Sequence, residues 1–286
     1  GLTSAPGAYV HILPNVGGFI GGDHVAMILA TRIHATDRTV LGLDIGTNTE
    51  LVLAHGGKLT STSCASGPAF EGGHITHGMD AKPGAIEMLK INNTDRVEFQ
   101  TIDNLPPLGL CGSGLLDADA ELCRTGIISR QGKLESVPGV DQAGTKREFL
   151  LVPAKRTGMG KDITITQKDI HEVQLAKAAI RTGIDLLLEE VKIDWEEIED
   201  VIIAGGFGSS MNPASGLAIG IVPPFKNRQF KVTGNAAGAG SRLCLISRTE
   251  RSRAGEIARN INYLELMTHP QFHKRFARAM FFQNFT

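Results

Sequence analysis

Apolar and polar positions change period several times along this chain, and the changes divide it into elements. In "VLGLDIG", residues 40–46, Leu41, Leu43 and Ile45 share one face of an extended strand, while Gly42, Asp44 and Gly46 share the other. "TELVLAH" and "KLTSTSCA" read as two further strands, joined by Gly56-Gly57, a pair that accepts positive φ and suits a tight turn. These runs predict a three-strand meander. Ahead of it, "YVHILPNVGGFIGGDHVAMILATRI" predicts a strand over residues 9–13, a glycine-rich turn and a helix carrying Val25, Ile28 and Leu29.

Beyond the meander, residues 66–91 read as glycine-rich and then helical. "VEFQTI" reads as a strand, and "LGLCGSGLLDADAELCRTGII" as a glycine loop opening a helix. Residues 130–162 hold the strand "REFLLVP" within a polar, locally basic stretch read as a solvated hairpin edge. A period of 3.6 then marks the longest helix, which follows the strand "DITIT" and starts at Thr166 as N-cap with Asp169 three residues on. Ile170, Val173, Ile180, Ile184, Leu187 and Leu188 make its apolar face; Gln174, Lys177 and Arg181 border it; His171, Glu172, Thr182 and Glu190 take the solvent side. "VIIAGGFGSSMNPASGLAIG" and "FKVTGNAAGAGSRLCLIS" each read as strand, glycine loop and helix. The tail reads as a strand and an amphipathic helix with Phe272, Phe276 and Met280 on one face. A meander followed by alternating strands and helices predicts an α/β protein with mixed sheets.

Composition narrows the function classes. The 286 residues, 42% of them hydrophobic, suffice for a full core, and Lys+Arg 29 against Asp+Glu 30 leave a formal charge of -1. No global basic surface asks for nucleic acid, so any anion site is local. No apolar run reaches the roughly 18 residues of a membrane helix, and the N-terminus lacks a signal-peptide layout. A cytoplasmic protein without a membrane partner is expected. Cys64, Cys111, Cys123 and Cys244 show neither metal-ligand nor disulfide spacing and are expected as free thiols. The start at Gly1 suggests a piece of a longer protein.

The candidate chemistry lies in the glycine loops "VGGFIGGD", "DIGTNTE", "CGSG", "AGGFGSS" and "GNAAGAG". Glycine lets backbone approach a ligand, and free N–H groups at helix N-termini attract anions. Each loop alone suits an ordinary turn; together they suit a nucleotide held between lobes. None matches a Walker or Rossmann pattern. Asp44, with glycine on either side along its face, either caps the turn through Thr47 or Asn48 or faces a phosphate-bound Mg²⁺. Glu71, alone in "GPAFEGG", either stabilises its loop or orients an attacking water. Gln174 and Lys177 either snorkel along the helix or reach the nucleotide. His74 and His77 stand three apart without further ligands, which favours a loop role over a metal.

Taken with those residues, "LGLDIGTNTELVLA" resembles the first phosphate loop of the acetate and sugar kinase, Hsp70 and actin (ASKHA) superfamily, a two-lobed, ribonuclease H-like α/β fold with a nucleotide cleft. "VIIAGGFGSS" resembles its adenosine loop. The combination with "VGGFIGGD", "CASGPAFEG", "GLCGSGLLD", "QLAKAAI" and "GNAAGAG" is similar to the C-terminal ATPase region of reductive activators of corrinoid proteins, including activating enzymes of O-demethylases. The resemblance implies ATP/ADP and Mg²⁺ as ligands, with Asp44 on the metal and Glu71 beside it as the catalytic carboxylates. It implies nucleotide contacts from Gly46, Thr47, Asn48 and Thr49, from Cys111, Gly112, Ser113 and Gly114 as candidate second phosphate loop, from Gln174 and Lys177, from Gly205, Gly206, Phe207 and Gly208, and from Gly234 and Asn235. It further implies a first lobe over 1–125, a second over 126–286, a corrinoid protein as partner, and an iron-sulfur cluster in a domain this chain lacks. In that family, ATP drives one-electron reduction of a cobalt(II) corrinoid to cobalt(I). Homodimerisation is compatible with this reading. A small-molecule kinase and a non-hydrolysing docking module on the same fold are the alternatives.

Overall fold

A computed structural model describes residues 7–93, 96–143, 146–207, 211–223 and 229–283. Helix α1 (Gly22–Thr31) leads into β1 (Val40–Asp44), β2 (Thr49–His55) and β3 (Lys58–Cys64), the expected meander. Gly56 and Gly57 both have positive φ, 55° and 73°, as a two-residue hairpin turn requires. A long excursion follows. It contains β4 (Ala85–Asn93), β5 (Arg96–Thr101), β6 (Gly109–Leu110), α2 (Gly112–Arg124), β7 (Val140–Ala143), β8 (Lys146–Val152) and β9 (Ile163–Thr166). The chain then runs through α3 (Gln167–Val191), β10 (Asp200–Ala204), α4 (Pro213–Ile219), β11 (Gln229–Val232), α5 (Ala236–Ile246), α6 (Arg248–Asn260), β12 (Ile261–Tyr263) and α7 (Phe272–Ala279).

The central sheet has six strands in the order β11-β10-β1-β2-β3-β12, and two three-stranded sheets, β5-β4-β6 and β7-β8-β9, lie in the excursion. β1 runs antiparallel to β2 and parallel to β10, so the C-terminal ends of β1 and β10 open side by side. Residue 125, where the sequence divides into two expected lobes, is the C-cap of α2. The central sheet takes β1, β2 and β3 from before that point and β10, β11 and β12 from after it, and so joins the two segments.

Both faces of this sheet are buried. Leu41, Leu43 and Ile45 enter a core shared with α3 and the excursion, while Val40, Val52 and Ile202 meet Val25, Ile28 and Leu29 of α1 in a second core. α3 starts as its chemistry demands. The Thr166 side chain accepts from the Asp169 N–H, and the Asp169 carboxylate accepts from the Thr166 N–H at 2.9 Å, a complete capping box. The same carboxylate accepts from the N–H of Thr76 at 2.8 Å, fastening the excursion to the helix.

Three expectations are corrected. Residues 9–13 form no strand, and Tyr9, Val10 and Ile12 are exposed. Residues 85–93 are strand rather than helix: Ile86 and Leu89 are both buried because a bulge between Ile86 and Met88 shifts the register, which imitates a helical spacing of three. Thr182, expected in solvent, is fully buried. The four cysteines are free, as expected, and all four are buried. Among the described residues, no helix is long and apolar enough to cross a membrane.

Some glycines of the sequence motifs serve packing. A Cβ on Gly240 would lie 1.9 Å from the Ala26 carbonyl oxygen, so α5 and α1 touch backbone to backbone there. Gly240→Ala gains helix propensity of about 1 kcal/mol but overpacks against a carbonyl that cannot move alone. The net expectation is destabilisation by about 1–3 kcal/mol, read as a lower urea midpoint with an unchanged m-value. An unaltered midpoint would mean that the two helices separate freely.

Candidate functional site

Four glycine loops and the start of α1 converge on one cleft of about 490 Å³. Its floor is the end of β1. Asp44 pairs with Glu50 of β2 across the antiparallel register, and Glu50 pairs with Ser63 of β3. Directly opposed residues point to the same face, so two carboxylates stand side by side, which is destabilising unless something positive joins them. Ser63 Oγ donates to Glu50 Oε1 at 3.1 Å, and Asp23, in the first turn of α1, adds a third carboxylate to the wall. Burial, reinforced by Asp23, pushes the Asp44 carboxyl up to about 6. Burial, helped by Asp23 and Asp44 and opposed by the Ser63 hydrogen bond, pushes Glu50 up to about 7.

The loop after Asp44 is braced from behind. Gly67 N–H donates to Thr47 O at 2.9 Å, Ser66 Oγ donates to Gly46 O at 3.0 Å, and Thr49, fully buried, shares a 2.7 Å hydroxyl contact with Ser66. Glu71 closes the brace from the front: its Oε1 accepts from the Thr47 N–H at 3.0 Å and its Oε2 from the Thr47 hydroxyl at 2.6 Å. Both donors of Thr47 are therefore engaged by a carboxylate in this state.

The remaining walls come from α2 and β10. Cys111, Gly112 and Ser113 line the cleft at the N-terminus of α2, a helix with no side-chain cap and no acid in its first turn. Such an end attracts anions. Gly205, at φ +95°, could not carry a Cβ, which would stand 2.5 Å from Ile45 O and 2.9 Å from Asp44 Oδ1. Its N–H donates to Gly234 O at 3.0 Å, and Asn235 caps α5 by accepting from Gly238 N–H at 2.7 Å. Phe207 crosses to stack on Phe70, with centroids 4.8 Å apart and planes at 13°. Gly112 must be glycine beneath them, because a Cβ there would be 2.0 Å from Phe70 O.

Asp44, Gly46, Asn48, Glu71, Cys111, Gly112, Ser113, Gly205, Gly206 and Phe207 thus line one cleft. Thr47, Thr49, Gly234 and Asn235 sit one layer behind, holding the lining loops. Gly114 belongs to the packing, since a Cβ on it would meet Ile86 O at 2.1 Å. Gly208 lies outside the described residues. Gln174 and Lys177 are not at this cleft, which corrects the sequence reading. Lys177 Nζ donates to Ala279 O at 2.6 Å and Phe281 O at 2.8 Å, and Gln174 Nε2 donates to Gln131 O and Met280 O. Their margin of the helix is covered by the C-terminal segment, a neighbour that helix periodicity does not specify. The sequence reading gave Glu50 no role of its own and left "VGGFIGGD" unplaced. The meander's register about residue 47 pairs position 44 with 50 and was the available signal for Glu50; an acid directly after Gly21-Gly22 at a helix start was the signal for Asp23.

Among the described residues, no group of three or more potential ligands forms a metal cage. Mg²⁺ does not need one, because it keeps water and takes one or two carboxylates plus substrate phosphates. The two opposed, unneutralised carboxylates, and the space beside Asp44 that a Cβ at Gly205 would fill, fit such an ion.

The cleft at the ends of β1 and β10 thus has a carboxylate pair on its floor, an uncapped helix end in its wall and glycine loops around it, on an α/β fold with mixed sheets. The comparisons identify the domain as an ASKHA domain. Residues 38–286 match the family model for the C-terminal domain of RACo, the ASKHA domain, and residues 1–36 match the RACo middle region. The chain belongs to this family. It is 37% identical over 282 residues to the corrinoid activation enzyme RamQ of Eubacterium limosum, covering 95% of this chain and 47% of that protein. It is 28% identical over 269 residues to a [Co(II) methylated amine-specific corrinoid protein] reductase of Methanosarcina barkeri, covering 87% of this chain and 46% of that protein. A solved reductive activator for corrinoid, iron-sulfur protein superposes with a TM-score of 0.89 at 40% identity, over 95% of this chain and 44% of that one. The chain spans about half the length of these relatives.

The raised carboxyls make ligand-free stability depend on pH. Asp44 and Glu50 hold protons more tightly folded than unfolded, so their contribution is greatest below about pH 4. It is lost as pH rises through about 6 and about 7. Asp44→Asn should flatten the fall between pH 4 and 6 and raise the urea midpoint at pH 8 in metal-free buffer. Parallel pH profiles for the two proteins would show that Asp44 is not desolvated.

Proposed function

We propose that this chain is the nucleotide-binding and nucleotide-hydrolysing domain of a longer cytoplasmic protein. That protein uses ATP to drive reduction of a cobalt(II) corrinoid protein to cobalt(I). The observation that carries the reading is the cleft itself: a carboxylate pair and an uncapped helix end face each other across a space of about 490 Å³. That arrangement suits a phosphate chain neutralised by a divalent cation, and the names of the relatives supply the task. The sheet unit and the 65–166 excursion act as the two walls that close on the nucleotide.

Asp44 and Glu50 would hold Mg²⁺ largely through water, and the ion would supply charge neutralisation at the phosphate oxygens. The backbone N–H groups of Gly112 and Ser113 and of the Gly46–Asn48 turn bind phosphate oxygens from the two sides. Gly205 keeps the β10 loop close enough to floor the sugar and base, with Phe207 and Phe70 as the apolar edge. Glu71 has two duties in sequence. In the structure it engages both donors of Thr47. When phosphate oxygens take those donors, the released carboxylate is free to accept a proton from water aimed at the terminal phosphate. Hydrolysis yields ADP and phosphate, while the single electron for cobalt comes from an iron-sulfur domain of the longer protein. Changes in wall closure between ATP and ADP states alter the grip on the corrinoid partner. Homodimerisation fits this scheme.

One observation favours a nucleotide sensor that does not hydrolyse: both Glu71 oxygens are engaged. A phosphate-release assay on the longer protein, with and without a cobalt(II) corrinoid protein, separates the readings. Hydrolysis stimulated by that partner is expected. Asp44→Ala should lower it at least about 100-fold. Glu71→Gln should lower release while ADP binding, measured by calorimetry with Mg²⁺, stays within a few-fold. Absence of nucleotide binding by the wild-type chain would end the proposal, and binding without phosphate release would favour the sensor.

A further inference from the structure

A second cavity, of about 380 Å³, lies between α3, α7 and the segment 279–283, and shares no lining residue with the nucleotide cleft. Its wall carries six cationic side chains, Arg130, Lys177, Arg181, Lys274, Arg275 and Arg278, and a single carboxylate, Asp185. Crowding like charges in a partly desolvated space is unfavourable, and the chain's net charge of -1 gives no general reason for it.

Internal partners account for only part of this charge. Arg181 Nε donates to Asp185 at 2.9 Å, and Arg275 pairs with Glu189. Yet Arg275 Nε is buried without a hydrogen-bond partner. Arg130 lies over the Phe281 ring at 5.9 Å. Lys177, 1% exposed, sits at the floor, donating to two carbonyls and standing 5.1 Å from the Phe282 ring. Lys274 and Arg278, one helical turn apart on α7 and both exposed, make no ion pair among the described residues. The two cations at the mouth are thus free, and behind them lies an unsatisfied guanidinium N–H.

We propose that this cavity binds a small polyanion of the pyrophosphate class, clamped by Lys274 and Arg278 at the mouth and by Arg275 Nε within. The shape selects a small ligand over an acidic protein face. At about 380 Å³ it falls in the range of small-molecule sites, roughly 300–1,000 Å³. Its deepest cation, Lys177, lies where no flat surface reaches. Burial holds the Lys177 ammonium down to about 7, and Arg181 adds to that effect; an anion seated above it would act in the opposite sense. The ligand would also tie α7 to α3 and the tail through charge-assisted bonds to groups on all three. This inference does not depend on the reading of the nucleotide cleft.

The test is calorimetric titration of the chain with inorganic pyrophosphate in magnesium-free, low-salt buffer, together with hydrogen exchange over residues 272–283. One pyrophosphate is expected to bind. Lys274→Glu with Arg278→Glu should weaken it by about tenfold or more, while Asp44→Ala, in the other cleft, should leave it within twofold. Lys274→Arg with Arg278→Lys should retain it. In the wild-type chain pyrophosphate should slow exchange in residues 272–283, a readout that needs no variant to fold. Failure to bind at millimolar pyrophosphate, equal binding by the charge-reversed protein at an unchanged melting midpoint, or binding with no protection of residues 272–283 would each overturn the proposal.

Discussion

The structure is organised around two carboxylates that oppose each other on neighbouring strands. Asp44 and Glu50 are register partners, both partly desolvated, and among the described residues the hydroxyl of Ser63 is the side-chain donor that reaches them, at Glu50. The surroundings leave room for the cation proposed above. Small residues clear the space beside Asp44. Gly205 is the strictest of them, because its φ of +95° and its distance from Asp44 Oδ1 both forbid a side chain. The loops that could compete for the carboxylates instead direct their N–H groups to one another or to Glu71. The carboxylates of β1 and β2 are thus held apart from the N–H donors of the loops around them.

That arrangement explains which parts of the fold the sequence revealed. The meander, the Gly-Gly turn and the capping box of α3 depend on interactions within a few residues, where alternation, positive φ and a Thr-x-x-Asp spacing are direct physical causes. Asp44 was legible from strand alternation, which sets it on the face opposite Leu41, Leu43 and Ile45, and Gly112 and Gly205 from their places at a helix start and a strand end, where a Cβ would strike neighbouring backbone. Elements that depend on distant neighbours were not legible. The β4 bulge put Ile86 and Leu89 at a helix-like spacing. The margin of α3 occupied by Gln174 and Lys177 was visible, but its cover, the segment 279–283, lies about a hundred positions further on.

Glycine illustrates the same limit from within single motifs. In "CGSG", Gly112 opens the helix end to the cleft, whereas Gly114 lets α2 lie against the Ile86 carbonyl. In "GNAAGAG", Gly234 accepts from the Gly205 N–H, whereas Gly240 lets α5 touch α1. A run of glycines therefore combines ligand approach with helix packing, and only the partner of each missing Cβ tells them apart.

α3 connects the regions so defined. Its first turn holds Thr76 of the excursion through Asp169, its middle turns carry Lys177 and Arg181, and just beyond them it lies on β2 and β3 at Gly183. A Cβ at Gly183 would stand 2.3 Å from Cys64 Sγ, so the helix cannot shift along the sheet without disturbing the strand end that pairs with Thr49. One helix thereby lies on the meander with one face and lines the basic cavity with another. The near-zero net charge conceals both that cavity's six cations and the cleft's carboxylates. Charge in this chain is informative only when assigned to places.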